Sequence, residues 1–325
     1  MTTRVRPAND ADEIASASAD AADLLRDGEV VAVPTETVYG LACDALNPAA
    51  ATKVFAAKDR PAFDPLIVHV ADVSWIGRLT TAEGAVLGMA QRLGSAFWPG
   101  PLTMVLPSRD IVPDLVRSGL PTVALRCSAH PVMAALVAKL GRPVAAPSAN
   151  RFGRISPVTA EHVCEELQGR IPLVLDGGRC RHGLESTIVS VGAGRLVLLR
   201  PGPVTVEELE RFAHVERMRR EDAVSAPGML ESHYAPRTPL RICSEGAPPP
   251  ADAASSGLLL FGAGNADGFA AVERLSADPA EASPDFFAAL RRLDAAGVER
   301  IYARTVPERG LGLAIMDRLR RAAHE

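Results

Sequence analysis

Along this chain short apolar runs alternate with segments of helical period. "VVAVPT" (30–35), "PLIVHV" (65–70), "LTMVLP" (102–107), "TVALRC" (122–127) and "PVAAPSA" (143–149) predict strands. Between them "NPAAATKVFAAK" (47–58) predicts a helix capped by Asn47 with Pro48 in its first turn. "AEGAVLGMAQRLG" (82–94) predicts a helix ending at glycine, and 130–141 and 158–169 two more. The strands "LVLD", "STIVSV" and "RLVLLRPG" then follow one another without helices, which points to an α/β fold on a mixed sheet. After "TVEELERFA" (205–213) the pattern stops, and residues 214–240, with prolines at 227, 236 and 239, read as an extended linker. From 241 a smaller α/β unit restarts: "LRIC", "GLLLFG", a capped helix at 283–297, a strand at 300–305 and a helix at 311–323. There is no internal repeat.

Composition narrows the function classes. A length of 325 residues allows one large or two modest domains, and 47% hydrophobic with 23% charged residues is ordinary for a globular protein. A net charge of -4 argues against sequence-independent nucleic-acid binding, which needs a basic surface. The first residues, "MTTRVRPANDADE", lack the apolar core of a signal peptide, and no run approaches a membrane span. Five scattered cysteines without a CxxC pair read as reduced thiols packed as small hydrophobes, as expected of a cytoplasmic protein, and not as a metal site. Only three of the 35 basic residues are lysine (Lys53, Lys58, Lys139), so a lysine here suggests a position that wants a compact ammonium.

Familiar motifs are missing: there is no P-loop, no G-x-S-x-G and no H-E-x-x-H. "LLLFGAGNADG" misses dinucleotide spacing and reads as a turn, and His162 with Glu166 reads as a solvated helix face. What remains is a set of polar groups at strand ends. Thr35, Glu36 and Thr37 follow a buried strand, either as ligand-facing groups or as a turn that caps a helix. Lys58 and Arg60 close a helix, where cations complement the last carbonyls, and His69 sits among Leu66, Ile67, Val68 and Val70. Arg126 ends one strand, Ser148 and Asn150 another, with Ser156 beyond the flexible Gly153, and Arg200 ends a third. Guanidinium and ammonium groups neutralise phosphate or carboxylate, while hydroxyls and amides orient a ligand. No activated covalent nucleophile is evident, so the set suits catalysis by positioning and charge stabilisation, as in phosphoryl or nucleotidyl transfer.

"PTETVYGLACD", "KDRPAFDPLIVHV", "FWPGPLT", "SANRFGRISPVTAEHV", "LESTIVSV" and "LLRPGPV", in this order over roughly 10–210, resemble the YrdC-like domain of threonylcarbamoyl-AMP synthases. "APGMLESHYAPRTPL" with its α/β tail resembles the two-domain form of that enzyme. The resemblance implies a YrdC-like twisted mixed sheet with flanking helices over 1–213, a proline-rich linker or lid over 214–240, and a Rossmann-like α/β domain over 241–325. It implies a nucleotidyltransferase that makes L-threonylcarbamoyladenylate from L-threonine, bicarbonate and ATP, releasing pyrophosphate. A tRNA threonylcarbamoyl transferase complex would pass the product to an adenosine next to the anticodon.

By the same resemblance Lys58 and Arg60 would be catalytic and, with Asp64, Thr122, Ser148, Asn150, Ser156, Arg200 and Tyr234, would bind ATP. Thr37, His69, Arg126, the Ala146 main chain and Ser186 would bind L-threonine, Arg126 holding its carboxylate. Tyr234 would reach from the linker over the site and help exclude water from a labile adenylate. Magnesium would arrive with ATP, with no protein side chain assigned to it, and no membrane partner is implied. Two rivals remain at this point: a carbamoyl transferase, whose further domains this chain has no room for, and an RNA-binding or regulatory module, so that a weak RNA contact stays open.

Overall fold

The computed structural model describes residues 2–61, 63–218, 234–244 and 246–323. Among the described residues fifteen strands in chain order form two sheets. They are β1 (Arg4–Pro7), β2 (Val31–Val33), β3 (Gly40–Asp44), β4 (Ile67–His69), β5 (Leu102–Pro107), β6 (Thr122–Arg126), β7 (Val144–Ala145), β8 (Leu173–Asp176), β9 (Thr187–Val191), β10 (Arg195–Arg200) and β11 (His214–Arg217), then β12 (Leu240–Cys243), β13 (Ser256–Phe261), β14 (Ala271–Leu275) and β15 (Arg300–Arg304). The first eleven make one sheet in the order β1-β8-β2-β3-β7-β4-β6-β5-β9-β10-β11, the last four a second in the order β12-β15-β13-β14. The large sheet mixes parallel pairs such as β4–β6 with antiparallel pairs such as β5–β6, as the helix-free run of strands predicts. The small sheet is parallel throughout.

Helices Ala11–Arg26 and Pro131–Leu140 cover one part of the large sheet, burying Ala17, Ala21, Leu25 and Leu136 against Val31, Val33, Leu173 and Leu175. A second, larger core lies beneath helices Pro48–Lys58, Gly84–Phe97 and Ala160–Leu167 and continues without a break to Phe286, Phe287, Leu293, Ile315 and Leu319 of the C-terminal unit. The small sheet is thus packed onto the large one through shared apolar side chains, whose burial is the main driving force for holding two such units together.

Several expectations change in the structure. The helix expected to stop at Gly94 runs on to Phe97. A Cβ on Gly94 would lie 2.8 Å from Val73 Cγ2, so this glycine serves close packing instead of a cap. The helix expected at 283–297 begins at Pro279, with the Asp278 side chain accepting the Ala280 N–H at 2.9 Å, and Pro284 lies inside it. The carbonyl of Ala280, which Pro284 cannot satisfy, accepts the Ser283 hydroxyl at 3.3 Å. The stretch 143–149 is a strand only at Val144–Ala145. Residues 214–240 were expected to carry no strand, yet His214–Arg217 pairs in parallel with β10. Most of the expected linker, 219–233, lies outside the described residues. His162 and Glu166 do not form a solvated face: Arg291 of the C-terminal unit stands 3.6 Å from Glu166, whose side chain is 8% exposed, while the neighbouring Glu165, 3.1 Å from the same guanidinium, remains exposed. All five cysteines are free, and β13 is followed by a bend at Gly262 and Ala263 and a turn at Asp267 and Gly268.

Candidate active site

Strand register assembles the polar residues. His69 at the end of β4 stands beside Arg126 at the end of β6, and Arg126 beside Thr103 in β5. Thr103 continues the row to Ile188 in β9 and on to Arg200 at the end of β10, where the ladder is irregular. Side chains at matched positions of neighbouring strands share a face, so the row collects His69, Arg126 and Arg200 along one line. A cleft with about 510 Å³ of empty space opens above it. Its walls include Thr35, Thr37, Arg60, His69, Arg126, Ala146, Ser148, Glu185, Ser186, Arg200 and Tyr234.

Thr35 to Val38 form the turn between β2 and β3, which decides the alternatives left open for this stretch: no helix follows it. The Thr35 hydroxyl accepts the N–H groups of Thr37 and Val38 at 3.1 and 3.2 Å and contacts the Thr37 hydroxyl at 2.8 Å. Glu36 turns inward and pairs with Arg126 at 2.8 Å while accepting the Ser128 hydroxyl. Burial alone would raise the Glu36 pKa. The Arg126 charge and the Ser128 and Arg126 hydrogen bonds outweigh it, holding the group at about 2. Burial first, and then the Arg126 charge, push His69 down to about 3, so the ring is neutral at physiological pH. Its Nδ1 is buried with no hydrogen-bond partner among the described residues, a free acceptor or donor at the cleft wall.

The basic pair at the helix end is buried too. Lys58 Nζ donates to the carbonyl oxygens of Ser148, at 2.5 Å, and of Asn150. It therefore lies behind the cleft wall and ties together the short turn after β7. Burial, aided by repulsion from Arg60, lowers the Lys58 pKa well below its ordinary value. Arg60 faces the cleft, pairing with Asp64 at 2.8 Å and donating to the Asp64 and Pro65 carbonyls at 3.1 and 2.9 Å. Arg200, also on the cleft wall, donates to the Ser186 carbonyl at 3.0 Å and to the Ser186 hydroxyl at 3.1 Å, and that hydroxyl also meets Thr103 at 2.8 Å.

Nine of the sequence-predicted residues line the cleft: Thr37, Arg60, His69, Arg126, Ala146, Ser148, Ser186, Arg200 and Tyr234. Lys58, Asp64, Asn150 and Ser156 sit one layer behind, bonded to lining residues or to their neighbours in the chain. Thr122 is the exception. It opens β6, four residues before Arg126, beside Pro107 and not on the cleft wall. Sequence reasoning missed Glu185 altogether, although it stands directly before Ser186 within the "LESTIVSV" stretch. Its carboxylate accepts the Ser156 hydroxyl with one oxygen and pairs with Arg318 of the last helix at 2.9 Å with the other. Glu36 carried no role in the sequence reading and emerges as the partner of Arg126.

The donor set does not fit a divalent cation held by the protein. Glu36, Asp64 and Glu185, which line the cleft or bond to its lining, are each committed to a guanidinium group, and among the described residues no group of three or more His, Cys, Asp or Glu side chains could hold a metal ion.

Residues 23–202 match the Sua5/YciO/YrdC family model, whose description is telomere recombination, and 204–324 match the model of the threonylcarbamoyl-AMP synthase C-terminal domain. Threonylcarbamoyl-AMP synthase of Pyrococcus abyssi is 40% identical over 322 residues, covering 93% of each chain. That of Bacillus subtilis is 42% identical over 324 residues, covering 94% of this chain and 92% of its own. The structure of P. abyssi Sua5 complexed with L-threonine superposes with a TM-score of 0.89 at 38% identity, covering 99% of this chain and 98% of that one. Both units, in this order and over nearly their whole length, are accounted for, and the chain belongs to the threonylcarbamoyl-AMP synthase family.

Proposed function

We propose that this chain makes L-threonylcarbamoyladenylate from L-threonine, bicarbonate and ATP, as a nucleotidyltransferase releasing pyrophosphate, and that the product serves the threonylcarbamoylation of an adenosine next to the anticodon of tRNA. The observation that carries the reading is the convergence of Arg60, Arg126 and Arg200, from separate segments, on one cleft that also holds the neutral His69 and the Thr37 and Ser186 hydroxyls. Three cations lining a polar slot suit a substrate with a carboxylate and a second with a triphosphate. The structure of P. abyssi Sua5 complexed with L-threonine supports the same assignment.

In this reading Arg126 takes the threonine carboxylate, with Glu36 fixing its guanidinium plane. His69 Nδ1 is placed for the threonine hydroxyl or amine; being uncharged, it orients without repelling the ammonium group. The threonine ammonium gives up a proton to solvent, the free amine attacks the bicarbonate carbon and water leaves to give a carbamate. A carbamate oxygen attacks the α-phosphorus of ATP in line as pyrophosphate leaves. Arg60 and Arg200 offset the phosphate charge, and Lys58 holds the Ser148–Asn150 turn that forms the nucleotide side. Magnesium enters as part of the Mg·ATP substrate. Transfer to tRNA falls to a separate threonylcarbamoyl transferase complex. No described helix is long and apolar enough to cross a membrane.

The test is pyrophosphate release from ATP and bicarbonate with and without threonine. Release that requires threonine is the expected result. Release without it points to another carbamoyl chemistry, and no release in either mixture removes the enzymatic reading.

A further inference from the structure

The C-terminal unit packs against the wall of the cleft through Arg318, Phe287 and Arg291. Arg318, from helix Leu311–Ala323, is fully buried and pairs through Nε with Glu185 at 2.9 Å, while its Nη1 donates to the Pro201 carbonyl at 2.9 Å and to Asp317 at 2.8 Å. Its guanidinium carbon lies 5.2 Å from the centre of the Tyr234 ring, and that ring stacks on Phe287 with centroids 5.7 Å apart. Arg291 donates to the carbonyl of Ile155, next to Ser156, at 2.5 Å. The contact is close: a Cβ on Gly183, two residues before Glu185, would fall 2.4 Å from the Ser283 carbonyl oxygen.

The charge arrangement gives these contacts a purpose. Glu185 is 5% exposed and lines the same cleft as Arg60 and Arg200. An uncompensated carboxylate there would repel a triphosphate through a medium of low effective dielectric constant, where charges act strongly on one another. It would also carry the desolvation cost of a buried single charge. Among the described residues Arg318 is the cation paired with it, and the carboxylate oxygen left over holds the Ser156 hydroxyl.

We propose that Arg318 is a positioning residue for the nucleotide side of the cleft: it neutralises Glu185, so that this carboxylate holds Ser156 without repelling the phosphates. The C-terminal unit then supplies a working part of the site, although Arg318 lies 133 residues from Glu185. The proposal rests on the nucleotide reading given above, and direct titration of the protein with ATP tests it apart from turnover.

In Arg318→Met, binding of ATP should weaken about tenfold or more, while the KM for threonine stays within about twofold. Adding Glu185→Gln to Arg318→Met removes the unpaired negative charge and should bring ATP affinity back to within about threefold of the parent. A merely structural role would lower the active fraction for both substrates alike and would show no such rescue. Thermal melts check that each variant is folded. Should Arg318→Met fail to fold, Glu185→Gln alone decides: it must bind ATP at least as tightly as the parent. A folded Arg318→Met with parental ATP affinity, a double variant no better than the single one, or weaker binding by Glu185→Gln would overturn the proposal. If the parent releases no threonine-dependent pyrophosphate but the ATP titrations behave as expected, the functional reading fails and the role of Arg318 stands.

Discussion

The molecule contains two openings at strand ends, and they differ in what they bury. The crevice of the C-terminal unit, about 740 Å³, lies where β12, β13 and β15 end in parallel, the usual ligand position of an open α/β sheet. Leu260, Phe261, Gly264, Asn265 and Val306 line it, and Arg304 is its one charged lining residue among those described. That guanidinium is spent on the carbonyls of Ser244 and Ala247 at 2.9 and 2.6 Å. The cleft over the large sheet is smaller, about 510 Å³, yet three guanidinium groups, a carboxylate and a neutral imidazole meet there. Volume and topology therefore do not make the site. What distinguishes it is the density of buried charge, each charge held by a partner that a ligand can relieve or replace.

The comparison breaks most readily at Lys58. Lys58→Ala removes an ammonium that bridges two buried carbonyls, and each carbonyl left without a donor costs about 1–3 kcal/mol. Pyrophosphate release should fall about 100-fold, the scale of displacing a substrate-positioning turn by about 1 Å. A folded variant, checked by circular dichroism, that turns over at more than a tenth of the parental rate would remove Lys58 from the mechanism.

A middle-sized effect should appear in acid. His69 has a depressed folded pKa of about 3, against an ordinary 6.5, so the unfolded chain binds the extra proton first as pH falls. The contribution of the neutral ring is fully present above about pH 6.5 and is lost progressively toward pH 3. Glu36, at about 2 against 4.5, adds the same sign of dependence only below about pH 4.5. Between these limits His69→Gln should reduce the pH dependence of unfolding free energy by up to about 1.4 kcal/mol per pH unit, read by urea titration at pH 5 and 6. An unchanged slope would mean that the ring titrates normally in the folded protein.

The smallest effect is expected in the other opening. Arg304→Ala should cost about 1 kcal/mol through its two lost hydrogen bonds and leave pyrophosphate release within about twofold. A large loss of turnover would show that the crevice, and not only the cleft, takes part in the reaction.

Much of the site is legible before folding because strand ends punctuate the sequence: Arg126 and Arg200 terminate apolar runs, and in the structure they terminate β6 and β10. The scarcity of lysine singles out Lys58, and the structure buries its compact ammonium between two carbonyls. The helix Pro48–Lys58 follows from Asn47 and Pro48, whose capping is local chemistry. Other features were not legible. Gly94 looked like a stop because a cap and a close contact ask for the same residue, and only the position of Val73 distinguishes them. Pro284 looked like a helix start because the Ser283 bond that lets the helix run through it cannot be read from composition.

By itself, then, the sequence determined the α/β class, the two units, the family to which they belong and most of the groups lining the cleft, since these depend on periodicity and on motifs within a few residues of one another. Tertiary structure alone decided the charge pairing. Glu36 with Arg126, and Glu185 with Arg318, are joined across strands and across the two units. Coulombic attraction acts on distance in space, and the pattern along a chain does not record which distant charge will stand within 3 Å.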